Sequence, residues 1–167
     1  MNDNSVLRLI IATALIILMA GLMHLAPVMA YGPGTASYTH WVYMFAHGSW
    51  LHWAVNSYML LLFHHVMHAH RTIAAYIASV LVTYIYTPDI PVVGISTMIL
   101  FIVGYMIPYK IRKYGIATLA ILAIILLVGM IVQEFAGAYH LMCTALGLIY
   151  YYAEGFVRRT YDYVTND

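Results

Sequence analysis

Long apolar segments separated by a few charged residues are the main pattern of this chain. No Lys, Arg, Asp or Glu occurs in any of five segments, which are residues 9–70, 72–88, 90–109, 114–133 and 135–153. A helix that crosses a bilayer needs roughly 20 mostly apolar residues. The last four segments therefore predict one spanning helix each. The first predicts two, because Tyr31-Gly32-Pro33-Gly34 breaks it.

The pattern thus predicts an all-α polytopic membrane protein, a six-helix bundle forming one domain over residues 1–167. The expected helices cover about 6–29, 50–69, 72–87, 94–108, 115–133 and 138–156. Val28-Met29-Ala30 resembles a signal-peptide cleavage site. We nevertheless expect the first helix to be a retained anchor, because its apolar stretch exceeds the roughly 7–15 residues of a signal sequence.

The positive charges predict the orientation of this bundle. All seven lie at the start of the first helix, after the sixth, or in the second and fourth connections: Arg8, Arg71, Lys110, Arg112, Lys113, Arg158 and Arg159. The connections 31–49, 88–93 and 134–137 contain neither Lys nor Arg. Because positive connections stay on the cytoplasmic side, we expect a multi-pass protein of the plasma (cell) membrane with both termini cytoplasmic.

The composition agrees with a lipid-facing surface and narrows the partners. Hydrophobic residues make up 64% of the chain and charged residues 8%, whereas soluble domains average about 45–50% and 25%. Too few polar side chains are present to cover a soluble domain. A net charge of +1 supplies no basic patch for nucleic acid. The single cysteine, Cys143, excludes an internal disulfide and a Cys-rich metal site.

The connection 31–49 carries no charge but several aromatic residues, namely Tyr31, Tyr38, Trp41, Tyr43 and Phe45. Aromatic rings favour the headgroup level of a membrane, so we expect this segment at the outer interface. Non-helical backbone at that depth is tolerated only against protein or along a cavity. The outer face is therefore where a functional site is expected.

Polar side chains lie near the outer ends of three predicted helices. His52 and Asn56 share one face of the second helix, Ser96 opens the fourth, and His140 lies early in the sixth. Such residues often join membrane helices by hydrogen bonds and close packing. The same set also contains a nucleophile, a neutral base and two hydrogen-bond donors, which are the groups that acyl transfer requires.

Three motifs can be read along the chain. The segment that opens the second helix carries Phe45-x-His47-x-Ser49-x-x-His52-x-x-x-Asn56. The fourth helix carries Gly94-Ile95-Ser96, with Gly104-Tyr105 eight residues after the serine, and the sixth carries His140 with Gly147 seven later. In these motifs, each on the corresponding helix, the sequence resembles the rhomboid intramembrane serine proteases, from the second helix through the sixth.

The resemblance implies an activity and a role for each of these residues. Ser96 would be the nucleophile and His140 its general base, while His52, Asn56 and the Ser96 N–H would form the oxyanion hole beside Gly94. Members of the family cleave transmembrane protein substrates near the outer membrane face, without metal or cofactor. The chain departs from the family pattern at Thr97, Leu100 and Cys143, where glycine, an aromatic residue and glycine are usual.

Two alternative functions remain open at this stage. The first is a catalytically inactive rhomboid-like protein that binds transmembrane clients. The second is a haem or metal protein, because His52 and His140 lie at similar predicted depth and further histidines cluster at His64, His65, His68 and His70. His64 and His68 are four residues apart and would share a helical face as metal ligands. We expect the cluster to be an interfacial helix end instead.

Overall fold

The computed structural model describes residues 3–114 and 137–165, and these residues are all-helical. Seven α-helices follow one another in the described ranges: α1 Asp3–Gly21, α2 Ala26–Met29, α3 Thr39–Val42, α4 Trp50–Phe63, α5 Ala69–Ile85, α6 Ser96–Tyr114 and α7 Gly137–Thr165. Within the same ranges the extended pairing consists of one antiparallel bridge, between Tyr31 and Val92. The all-α prediction is confirmed for this part of the chain.

The predicted first helix, 6–29, is wrong as a single straight element. The chain bends by 53° between Ser5–Gly21 and Met23–Met29, and a short 3₁₀ turn, Met23–Leu25, joins α1 to α2. Pro27 lies in the first turn of α2, where a proline without an N–H is tolerated although it would break a helix interior. The proline therefore starts a new helix here.

By length and hydropathy, this bent pair is the one candidate for a membrane span among the described residues. No single helix in the described ranges is both long and apolar enough to qualify, and α5 is apolar but shorter.

The second and third predicted helices have different bounds from those observed. The prediction of 50–69 is too long, because α4 ends at Phe63, and α5 begins at Ala69 rather than 72. The His64 ring contacts the Leu61 carbonyl oxygen through Nδ1 at 2.6 Å, and Arg8 donates to the His65 carbonyl at 2.5 Å. These side chains satisfy carbonyl groups that a continuing helix would have bonded.

Helices α6 and α7 pack backbone to backbone, and two glycines permit this. A Cβ atom at Gly104 would overlap the carbonyl oxygen of Thr144, and one at Gly147 would overlap that of Phe101. Both helices are longer than predicted: α6 runs through Pro108 to Tyr114, and α7 continues to Thr165. The predicted fifth helix, 115–133, lies outside the described residues.

The segment between α2 and α4 packs against the protein, one of the two placements expected for it. Tyr31 and Tyr43 are buried, and their hydroxyls donate to the Thr83 and Ser79 carbonyls of α5 at 2.7 and 3.1 Å. Tyr31 and Val92 exchange two backbone hydrogen bonds, of 3.0 and 2.8 Å. These contacts hold the segment beside the chain that leads into α6.

Candidate functional site

Ser96 and His140 are in hydrogen-bond contact at the start of α6 and α7. The Ser96 Oγ lies 2.9 Å from His140 Nε2, within the roughly 2.6–3.2 Å that proton transfer between a nucleophile and a base requires. His140 is only 6% exposed, and Ser96 is half-buried. The close packing at Gly104 and Gly147 places the two helix ends at this distance.

The backbone around Ser96 leaves an N–H group without an intrahelical partner. Ser96 is the first residue of α6, and the Ile95 carbonyl accepts the first helical bond, from Ile99 N–H at 3.1 Å. The N–H groups of the first helical turn have no carbonyl before them in the helix. One residue further back, the Gly94 N–H donates to the Tyr43 carbonyl at 3.1 Å, which ties this turn to the 31–49 segment.

Gly94 lies directly against His52 and Asn56, so three of the sequence-predicted residues meet at one place. Its φ is +115°, in a region that favours glycine. A Cβ atom here would lie 2.6 Å from His52 Cε1 and 3.4 Å from Asn56 Nδ2. Both side chains project from α4, whose first turn is capped by Ser49 Oγ accepting from His52 N–H at 3.1 Å.

His52 Nε2 is a buried polar atom without a hydrogen-bond partner in the described part of the chain. Most buried polar groups in proteins are paired, and one that is not requires a physical explanation. Nε2 would be only 2.8 Å from a Cβ at Gly94, so the atom faces the space beside the turn that precedes Ser96. An unpaired ring nitrogen in this position is suited to donate a hydrogen bond to a negative charge that develops only during a reaction.

His47 belongs to the same site, although the sequence alone suggested no role for it. Its Nε2 lies 3.0 Å from Asn56 Nδ2, and both side chains are buried. Its ring also meets the His52 ring edge to face, with centroids 5.0 Å apart. The available signal was the place of His47 in the second-helix motif. Because His47 precedes α4, helical spacing could not bring it to Asn56.

Two of the three residues that depart from the rhomboid pattern, Thr97 and Cys143, are buried in the core. The Thr97 hydroxyl is buried and lies 3.1 Å from the Tyr43 hydroxyl, so its side chain has a partner in the core. Cys143 is fully buried in the apolar core of the bundle. Leu100 is half-buried, and no aromatic ring of the described residues is in ring contact with His140.

The histidine cluster does not have the helical geometry that the metal hypothesis assumed. His64 and His68 lie in the connection after α4, so they do not share a helix face. Arg8 Nη1 lies 3.3 Å from His68 Nε2, and the His64 and His65 rings meet edge to face at 5.9 Å. In residues 3–114 and 137–165 no three His, Cys, Asp or Glu side chains are grouped as metal ligands would be.

No protein-family model matches this chain, and a search of curated proteins found no significant relative.

Proposed function

We propose that the chain is an integral membrane serine protease of the rhomboid type that cleaves transmembrane protein substrates. The observation that carries the proposal is the contact of Ser96 Oγ with His140 Nε2 at 2.9 Å. His52 Nε2, which has no hydrogen-bond partner among the described residues, supports the proposal, because it adds an electrostatic group beside the nucleophile and the base.

The apolar exterior of the helices supports placement in a bilayer. On α5, Ile73, Ile77, Leu81 and Ile85 follow one another at four-residue intervals and form a stripe, each between 48% and 74% exposed. Exposed Ile and Leu also occur on α1, α4 and α7. Single exposed apolar residues are ordinary, but contiguous apolar faces on several elements indicate contact with lipid or protein.

The distribution of charge supports a cytoplasmic end opposite Ser96. Arg112 lies 16 residues after Ser96 on α6, which is about 24 Å along a helix with a rise of 1.5 Å per residue. Arg71 at the start of α5 pairs with Glu154 late in α7, and Arg158 follows one turn later. The positive charges thus gather at one end of the bundle and the Ser96–His140 pair lies at the other, as the positive-inside rule requires.

The proposed mechanism begins with the Ser96 hydroxyl. Its O–H donates to His140 Nε2, so Nδ1 carries the ring proton of the neutral imidazole. As Oγ attacks the scissile carbonyl carbon, Nε2 takes the hydroxyl proton, and the carbonyl oxygen becomes an oxyanion. His140 then gives that proton to the leaving amine as the C–N bond breaks. A water molecule, deprotonated by His140, hydrolyses the acyl ester and regenerates Ser96.

Three donors are assigned to the oxyanion in this mechanism. They are the Ser96 N–H, His52 Nε2–H and the Asn56 amide. One Nδ2 hydrogen of Asn56 is directed to His47 Nε2, which leaves the other for the substrate oxygen. His47 acts as a positioning residue, because it fixes the rotation of the amide before substrate binds. Gly94 provides the space in which the oxyanion meets these donors.

Labelling with a fluorophosphonate probe tests the serine chemistry. The purified protein should be labelled at Ser96, and Ser96→Ala should abolish labelling because no other group would carry the attack. His140→Ala should reduce it strongly, because the hydroxyl is a weak nucleophile without its base. Absence of labelling in a folded wild-type protein would favour the inactive, client-binding alternative, and a haem band in the visible spectrum would favour the haem alternative.

A further inference from the structure

A cavity lies between the C-terminal parts of α6 and α7, far from Ser96. Its volume is about 430 Å³. Its lining includes three arginines, three tyrosines and one carboxylate, and these are Arg112, Arg158, Arg159, Tyr105, Tyr151, Tyr152 and Glu154. The Ser96–His140 mechanism uses none of them.

The negative charge of the Glu154 carboxylate is balanced by Arg71, which is not among the residues that line the cavity. Arg71 donates to both oxygens of Glu154, through Nε at 3.2 Å and Nη2 at 3.0 Å. Both side chains of this pair are largely buried, at 10% and 12% exposed. The Arg71 guanidinium also lies over the Tyr105 ring, 4.3 Å from its centroid. The ion pair with Arg71 therefore fixes the position of Glu154 in the lining of the cavity.

The arginines that line the cavity give it a positive charge. Arg158 reaches Glu154 Oε1 at 2.6 Å, and Arg159 Nε donates to the Gly155 carbonyl at 3.1 Å. With Glu154 balanced by Arg71, Arg112, Arg158 and Arg159 supply three positive charges around one opening. Guanidinium groups bind phosphate through paired N–H donors, and tyrosine hydroxyls add further donors.

We propose that this cavity binds the phosphate headgroup of an anionic phospholipid in the leaflet facing the arginine-rich end. The inference requires the membrane placement proposed above but not the serine chemistry. Basic pockets between membrane helices on the cytoplasmic side have the chemistry for such headgroups. Phe156 and Tyr152, which lie one and two turns from the arginines on α7, are exposed at 68% and 59% and offer apolar surface to the acyl chains.

Binding of a tail-labelled phosphatidylglycerol to the purified full-length chain in non-ionic detergent tests the proposal. Arg112→Gln combined with Arg159→Gln should weaken binding at least about tenfold, because each charge-assisted hydrogen bond to phosphate is lost. The matched control is Lys110→Gln combined with Lys113→Gln. It removes two charges from the same end of α6 but alters no residue that lines the cavity, and it should change affinity much less.

Competition and rescue complete the test. Unlabelled phosphatidylglycerol should displace the probe, whereas phosphatidylcholine and inorganic phosphate should not. Arg112→Lys with Arg159→Lys should bind more tightly than the glutamine pair, which separates loss of charge from misfolding. Equal weakening by both glutamine pairs, or displacement by inorganic phosphate, would overturn the proposal. The Ser96→Ala protein should bind the lipid as the wild type does. Lipid binding and protease activity can therefore fail independently of each other.

Discussion

Gly94 shows how much of the candidate site depends on single residues. Its backbone has φ +115° and its Cα faces the His52 ring. Gly94→Ala should therefore displace His52 and reduce cleavage of a substrate strongly. Gly34→Ala is the matched control: Gly34 also has a positive φ, of +72°, but a Cβ there would meet nothing within 4 Å. Cleavage should be measured for both variants, and equal activity would contradict the role of the Gly94–His52 contact.

His52 and Asn56 are expected to act on the transition state rather than on the fold. Removal of one oxyanion donor typically lowers turnover by about 10²–10³. His52→Ala and Asn56→Ala should each cause a loss of that order. The thermal unfolding temperature should change little for His52→Ala, because His52 Nε2 has no protein partner in the described residues to lose. Asn56→Ala also removes the buried hydrogen bond to His47, so a modest fall in its unfolding temperature is expected beside the loss of cleavage. A variant that cleaves normally but unfolds at a lower temperature would instead indicate that these residues join helices.

At the scale of elements, the pairing of α6 with α7 sets the geometry of the site. Gly147→Ala should destabilise the protein by at least about 1–3 kcal/mol, the usual cost of inserting a methyl group into close packing, because the new Cβ would overlap the Phe101 carbonyl. Serine labelling should fall in parallel as Ser96 and His140 separate.

Gly155→Ala on the same helix is the control for this change. A Cβ at Gly155 would meet nothing within 4 Å, so the substitution should be neutral or stabilising by about 0.5–1 kcal/mol, as expected for alanine in place of glycine within a helix. Thermal unfolding of the two variants distinguishes close packing from the general effect of helix propensity. Similar stabilities would contradict the importance of the contact at Gly147.

The elements also show which structural features the sequence could predict. The start of α4 at Trp50 agrees with the predicted 50, and Gly104 and Gly147, which the motifs contain, lie at the contact between α6 and α7. The end of α4 could not be predicted, because no glycine or proline marks it. It depends in part on Arg8, which reaches His65 from 57 residues away. Periodicity describes one segment and contains no information on such distant contacts.

The same limit applies to His47, Arg71 and Glu154. Chain position gave no reason to pair His47 with Asn56 across the start of α4. Arg71 and Glu154 are 83 residues apart, and their ion pair requires the packing of α5 against α7. In contrast, His52, Asn56, Ser96 and His140 could be selected beforehand, because these are the residue types that acyl transfer requires together. Gly94 was selected through the resemblance to the rhomboid motifs.

At the scale of the whole molecule, two groups of polar residues lie toward opposite ends of the described helices. The Ser96–His140 pair and His52 lie where α4, α6 and α7 begin. The arginines and the Glu154 ion pair lie toward the opposite ends of α6 and α7. In the proposed function, the Ser96 end contacts the substrate, and the arginine-rich end binds lipid headgroups of the cytoplasmic leaflet.

Cleavage of a transmembrane reporter in a membrane is the measurement that tests the protease proposal most directly. The wild-type chain should cut the reporter near the outer membrane face. Ser96→Ala and His140→Ala should each abolish cleavage, and the double variant should lose no more than either one, because residues that act as a unit are not additive. Cleavage by Ser96→Ala at a rate comparable to that of the wild type would contradict the account.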